Sequence, residues 1–263
     1  IELNSIQDSM MKWITSTQLN QWADSRDAQS MLPELVLRLI HATVSNITKL
    51  RFPSGDAVHL TGWDGVLESE DAVYTIGAGL SLWECGTNKD LKSKADSDYV
   101  KRSNNALGYD TRTATYVFVT PRIWDGAEKW MQDKNSDSIW RNVVVLTAVE
   151  LEDWLALCPS VSLWLAEQWH EHPIRANSIE TFWKNRFVGQ EITLNPDIIL
   201  GGREIEQNQL YQQLDKPSIT VVQSIAQFES VAFAVACLLE SADAFGWKSR
   251  SLVVNDENTL EQL

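Results

Sequence analysis

An α/β architecture is predicted by three features of the sequence. Apolar, β-branched runs such as ATYVFVTPR (114–122) and RNVVVLTA (141–148) read as buried strands. Segments with apolar residues at three- and four-residue spacing read as helices. The two kinds alternate along the chain, which indicates a sheet with helices on both faces. At 263 residues the chain is long enough for two domains, each with its own core.

The chain opens on short polar and aromatic pieces, with Ser16 or Thr17 as the cap of a first helix containing Leu19 and Trp22. PELVLRLIHATVSN (33–46) starts a helix at Pro33, where a missing N–H costs little, and buries Leu35, Val36, Leu39 and Ile40. VHLTGWDGVLES (58–69) alternates Val58, Leu60 and Gly62 against His59, Thr61 and Trp63, as a strand does, and reaches Asp64 between Gly62 and Gly65. LSLWECGT (80–87) puts Leu80, Leu82 and Glu84 on one face and Ser81, Trp83 and Cys85 on the other. The stretch between the two runs holds Glu68, Glu70, Asp71, Gly77 and Gly79 and fits a hairpin with a polar tip.

DLKSKADSDYVKRS (90–103) reads as a helix capped by Asp90, and ATYVFVTPR as a central strand. DGAEKWMQDKN (125–135) reads as a helix, RNVVVLTA as the next strand, and ELEDWLALCPSVSLWLAEQW (150–169) as two helices parted at Pro159. The 12 tryptophans recur beside charged residues, a pattern that fits amphipathic packing at domain edges. HEHPIRAN (170–177) breaks the periodicity and sets a boundary between domains 1–175 and 176–263, with ETFWKNRFVGQEITL (180–194) as a connecting segment. Beyond it a helix Glu204–Leu214 and strands Ser218–Gln223 and Ser251–Val254 are predicted.

A net charge of −14 argues against a broad nucleic-acid-gripping surface, because phosphate neutralisation needs Lys and Arg. It leaves room for a local basic site: Lys89, Lys92, Lys94, Lys101 and Arg102 face only Asp90, Asp96 and Asp98 over the same stretch. Cys85, Cys158 and Cys237 show neither metal nor disulfide spacing, and Cys237 sits in the apolar run VAFAVACLLE as a core residue. His170 and His172 have no further ligands nearby. No stretch is long and apolar enough for a membrane span, so no membrane partner and a cytoplasmic setting are expected. The absence of an initial Met suggests a trimmed tag or a fragment.

Singly, Asp64 fits a turn and Glu84 a solvated strand end. Together, at neighbouring positions of a hairpin, they form a carboxylate pair suited to a hard divalent cation such as Mg2+. This pattern resembles the PD-(D/E)xK, or restriction-endonuclease-like, nucleases: an Asp, then Glu-x-Lys at the end of the next strand, often with a Glu on a preceding helix. The resemblance implies a mixed sheet flanked by helices, metal ligands at Asp64, Glu84 and Glu34, and a Mg2+ or Mn2+ cofactor. One position departs from it. Gly86 stands where the lysine belongs, and the group that holds the attacking water is then Lys89 or Lys94, the first nearest in sequence and the second on the helix with Lys101. Glu34 serves equally well as a partner of the helix dipole. Lys101, Arg102 and Arg122 are the expected phosphate contacts.

The second segment resembles the entry to a P-loop NTPase of the STAND or AAA type, through Gly201-Gly202-Arg203-Glu204 and the helix and strands after it. Where GxxxxGK[ST] belongs, the chain has QSIAQFES (223–230), without Gly or Lys, so nucleotide binding by that mechanism is not expected. The expected segment is a partial, degenerate NTPase-like α/β domain. The joint resemblance implies a nuclease effector of bacterial antiphage defence acting on nucleic acid, DNA ahead of RNA, within a homo-oligomer or a larger protein. The alternative is a nuclease fold without catalysis that serves protein interaction or regulation.

Overall fold

A computed structural model describes residues 12–53, 61–189, 193–214, 216–261 and 263. The chain divides into two compact units, one ending at Ser162 and the other starting at Leu163. The division falls inside a helix, ahead of the boundary at 175/176 expected from composition. Glu167, near the end of that helix, accepts hydrogen bonds from Ser178 N, Ser178 Oγ and Thr181 Oγ1 and so ties the helix to residues 178–181.

The first unit opens with α1 (Ser16–Trp22), capped by Thr15 in a reciprocal box with Gln18 rather than by Ser16 or Thr17. Helix α2 (Arg26–Thr43) begins well before Pro33, because Ser25 caps it through Ala28 N. Pro33 is therefore interior, and it offers no N–H to the Gln29 carbonyl one turn earlier. Strands β1 (Ile47–Arg51), β2 (Gly65–Ser69) and β3 (Gly79–Cys85) come next as an antiparallel set. The hairpin expectation holds, but β2 starts only after Asp64; Val58, His59 and Leu60 lie outside the described residues.

Helix α3 (Leu91–Asn104), capped by Asp90, crosses to β4 (Thr115–Val119), and α4 (Ala127–Ser136) to β5 (Asn142–Leu146). Strands β3, β4 and β5 run parallel, completing a five-stranded mixed sheet in the order β1-β2-β3-β4-β5. The chain is thus α/β, with helices flanking a mixed sheet. One face packs Val66, Leu82, Tyr116 and Phe118 against Ala95 and Tyr99 of α3 and Trp130 of α4. Residues of the opposite parity, Leu67, Trp83, Val117 and Leu146, are equally buried, so both faces are covered. Trp63, Trp83, Trp130, Trp140 and Trp154 are core residues, which corrects the domain-edge expectation. Trp63 meets Trp140 and Tyr116 edge-on, an arrangement the ring quadrupoles favour. Helices α5 (Ala148–Ala156) and α6 (Pro159–Gln168) part at Pro159 as expected.

The second unit pairs β6 (Ala176–Ser178) with β7 (Leu252–Val254), antiparallel. Between them run α7 (Ile179–Phe187), α8 (Pro196–Leu200), α9 (Glu204–Leu214), α10 (Gln227–Leu239) and α11 (Ala244–Arg250); α12 (Glu257–Leu260) comes after β7. Its core gathers Trp183, Phe187, Phe233, Val253 and the fully buried Cys237. The strand expected at Ser218–Gln223 does not form. Its β-branched residues find no partner strand among the described residues, and Ile219 and Val221 stay exposed.

Candidate active site

The site forms at the carboxyl end of β3, the edge of a parallel array where open α/β sheets place ligands. Gly65 pairs with Trp83 in the β2–β3 ladder, so Asp64 stands opposite Glu84. Asp64 Oδ2 accepts the Cys85 N–H at 2.8 Å, which fixes that carboxylate against the end of β3. Both glycines flanking Asp64 are required. Gly62 has φ +150°, and a Cβ on Gly65 would overlap the Phe52 ring.

Asp64, Glu84, Lys94, Asp98, Lys101 and Arg102 line one cavity of about 470 Å3. A second cavity of about 310 Å3 shares Gln29, Cys85 and Lys94 with the first and continues past Gly86 to Thr87 and Asn88. The two lobes make a trough with Lys94 at its waist.

The side chain of Lys94 occupies part of the space beside Gly86. A Cβ at position 86 would come within 2.9 Å of Phe118 Cζ and 3.2 Å of Lys94 Cγ. The space a side chain at 86 would need is thus taken partly by the stem of Lys94, which reaches the carboxylates from α3. Its ammonium pairs with Asp98 at 2.9 Å. Burial pulls the Lys94 pKa down, but the bond to Asp98 and the charges of Asp98, Glu84 and Asp64 outweigh it, and the ammonium is held above its ordinary value. Lys94 is therefore a fixed cation and donor at neutral pH, not a base. Lys89 is exposed, lies 3.7 Å from Asp24 and is absent from both lobes.

Arg102 is 4% exposed, and its guanidinium donates to Glu84 Oε1 and to the Gly62 carbonyl while lying 4.6 Å from the Trp63 ring centroid. It is an internal counter-ion of Glu84, not the free phosphate contact expected of it. Even so, burial first and the Asp64 carboxylate second push the Glu84 carboxyl up to about 7, against the pull of Arg102. Burial likewise raises Asp64, opposed by the Cys85 N–H and the Lys94 charge.

Two other expected residues sit apart from the trough. Glu34 pairs with Arg38 one turn along α2 at 3.0 Å, and it is Gln29 and Pro33 of that helix that line the cavity. Arg122 is buried, donating to the Thr87 and Ala23 carbonyls and to Asp24, and so ties loops together. Lys101 does line the cavity, as an exposed cation.

Asp98 was not singled out by the sequence, yet it is 5% exposed and central to the site. The signal was its place on the buried stripe of α3, among Leu91, Ala95, Tyr99 and Arg102, where an Asp is rare unless it is paired. Its Oδ2 meets Lys94 as an ion pair, but no donor reaches it in hydrogen-bonding geometry, and the buried Tyr116 hydroxyl likewise has none.

No protein family, curated protein or solved structure matches this chain. The chemistry of the trough itself is what bears on function. Its acidic side chains are Asp64, Glu84 and Asp98; burial raises the pKa of the first two, and the third is paired with Lys94. That set fits a hard cation. Among the described residues no cluster of three or more His, Cys, Asp or Glu is arranged to hold one ion. Mg2+ needs no such cluster, since it is commonly bound by one or two carboxylates, water and substrate phosphate.

Proposed function

We propose that the first unit is a divalent-cation-dependent nuclease that hydrolyses phosphodiester bonds in the trough. The observation that carries this reading is Lys94, delivered by α3 to the space beside Gly86, next to the half-buried Asp64 and the buried Glu84. Asp64 and Glu84 would hold Mg2+ or Mn2+, with Asp98 aligning Lys94 through their ion pair. A cation bound there supplies Lewis-acid polarisation of the phosphate and lowers the pKa of a coordinated water. Lys94, a donor with fixed position and charge, orients the attacking water and stabilises charge that develops on the phosphate. Lys101 at the exposed rim contacts the neighbouring phosphate.

The balance of charge supports metal dependence. Asp64, Glu84 and Asp98 face Lys94, Lys101 and Arg102, so the trough alone is near neutral, in a chain of net charge −14. A divalent cation tips it positive, and strand binding and metal binding are coupled. DNA is proposed ahead of RNA and the defence setting is proposed with it; both rest on the resemblance of sequence. The second unit is read as an NTPase-like domain that does not hold nucleotide through a phosphate loop, since residues 223–230 lack Gly and Lys.

One observation favours a second reading, an inert module for protein contact: Arg102 already satisfies Glu84 without a metal. Cleavage of plasmid DNA, single-stranded DNA and structured RNA with Mg2+ and Mn2+ separates the two. Cutting that needs the metal and is lost in Asp64→Asn and Glu84→Gln supports the nuclease. Intact substrates under every condition favour the inert module.

A further inference from the structure

The mouth of the trough carries one side chain whose chemistry the hydrolytic reading does not use. Leu107 lines the larger lobe together with Lys101 and the acids. It is 46% exposed and has φ +57°, a left-handed conformation in which the side chain crowds the following carbonyl. A left-handed leucine is costly even in the turn closed by the Tyr109 N–H and the Ala106 carbonyl, and such backbone conformations gather at functional sites.

The surrounding structure holds it there. Leu107 N donates to Asn105 Oδ1 at 3.0 Å, Trp63 Nε1 donates to the Ala106 carbonyl at 3.2 Å, and Gly108 continues the left-handed turn at φ +88°. Trp63 is the same ring on which Arg102 stacks. Leu107 is thereby fixed, through Trp63 and Arg102, to the frame that holds Glu84.

We infer that Leu107 is a wedge that packs against a nucleobase next to the scissile phosphate, so that the substrate is an unpaired or locally unstacked strand. Apolar side chains inserted at base steps act in this way on nucleic acids, and the cost of separating bases is least where the strand is already unpaired. The weak electrostatic attraction of an acidic chain leaves base contacts a larger share of the binding free energy. The inference rests on the nuclease reading for its substrate, but its test does not require cleavage.

The experiment compares the full chain with its Leu107→Gly variant. Binding of a fluorescein-labelled phosphorothioate oligonucleotide, which resists hydrolysis, is followed by anisotropy in Mn2+. The probe is presented as a single strand, as a duplex and as a duplex with a mismatched centre, each in DNA and RNA form. Wild type should bind the single strand and the mismatched duplex about tenfold more tightly than the perfect duplex, about 1.4 kcal/mol. Leu107→Gly should bring all three within about twofold, with a Tm that does not fall, because glycine accepts the left-handed backbone. Cleavage of the matching unmodified strands is scored in parallel. Preference for unpaired strands that depends on Leu107, without cutting, retains the wedge and removes the nuclease. Cutting with no such preference, or with a preference that survives Leu107→Gly, overturns the wedge and retains the nuclease. A Tm that drops in the variant makes Leu107 a packing residue and overturns the wedge as well, as does binding of none of the probes.

Discussion

Glu84 is the residue on which the proposed chemistry turns, because it is pulled three ways. Burial and Asp64 favour its neutral form while Arg102 favours the carboxylate, and the outcome is a pKa raised to about 7 from an ordinary 4.5. In the metal-free protein the folded state binds more protons than the unfolded chain between these values. Stability from this group therefore falls as pH rises from about 4.5 to 7. A cation must displace that proton, so Mn2+ affinity should rise about tenfold per pH unit up to about pH 7 and then level off. Calorimetric titrations at several pH values check this, and a flat profile contradicts it. At the same scale, Lys94→Met should lower kcat by two orders of magnitude or more, roughly the range of a positioned acid–base or charge-stabilising group, while Lys89→Met should stay within about twofold. Parallel kinetics of the two variants decide which lysine replaces the one missing at Gly86. Arg102→Leu should cost about 3–5 kcal/mol in denaturant melts, because it strands a buried carboxylate.

The residues of the pair were legible in the sequence because strand alternation sets which way Glu84 points and the glycines flag Asp64. Their supports were less so. Asp98 reads as one more charge on a polar helix until the buried stripe of α3 is traced through it, and Arg102 looks like a phosphate contact until it is found beneath Trp63.

At the scale of elements, the hairpin and helix α3 build the site together. The hairpin brings Asp64 and Glu84 opposite each other, and α3 delivers Lys94, Asp98 and Arg102 from successive turns. Close packing makes this arrangement sensitive to single atoms. Gly65→Ala would drive a methyl into the Phe52 ring and should destabilise by about 1–3 kcal/mol, with loss of metal binding as the strand shifts. Melting curves and a Mn2+ titration of the same variant check both consequences. Helix α2 shows why element boundaries were misread. Pro33 is a good helix start in isolation, but the Ser25 cap and Asp27 in the first turn start the helix earlier and make Pro33 an interior residue at the trough wall. The absent strand at Ser218–Gln223 is the converse case: its propensity is high, but a strand needs a neighbour, and propensity says nothing of one.

At the scale of the molecule, the proposed function makes charge decisive for how the protein would meet nucleic acid. With a net charge of −14, and with Arg102 buried against Glu84, Lys94, which is paired with Asp98, and the exposed Lys101 are the remaining cations that line the trough. Strand affinity should therefore depend weakly on salt, with a log–log slope of about −1 to −2, compared with the steep dependence of proteins that neutralise many phosphates. Anisotropy across a salt series checks this, and a slope steeper than about −4 would point to a broad basic surface instead. The division of the chain falls at Ser162/Leu163, ahead of the break in periodicity at 170–177.

The claim that the Asp64–Glu84 pair is a metal site, and not a carboxylate already neutralised by Arg102, is tested most directly by counting bound Mn2+. The free-ion electron paramagnetic resonance signal is followed on titration at pH 8 with a phosphorothioate strand present. Wild type should take up one or two ions per chain, since Mg2+-type sites use one or two carboxylates with substrate phosphate, and both Asp64→Asn and Glu84→Gln should abolish the uptake. A wild-type protein that leaves the signal unchanged would contradict the account and make the Glu84–Arg102 pair a structural lock.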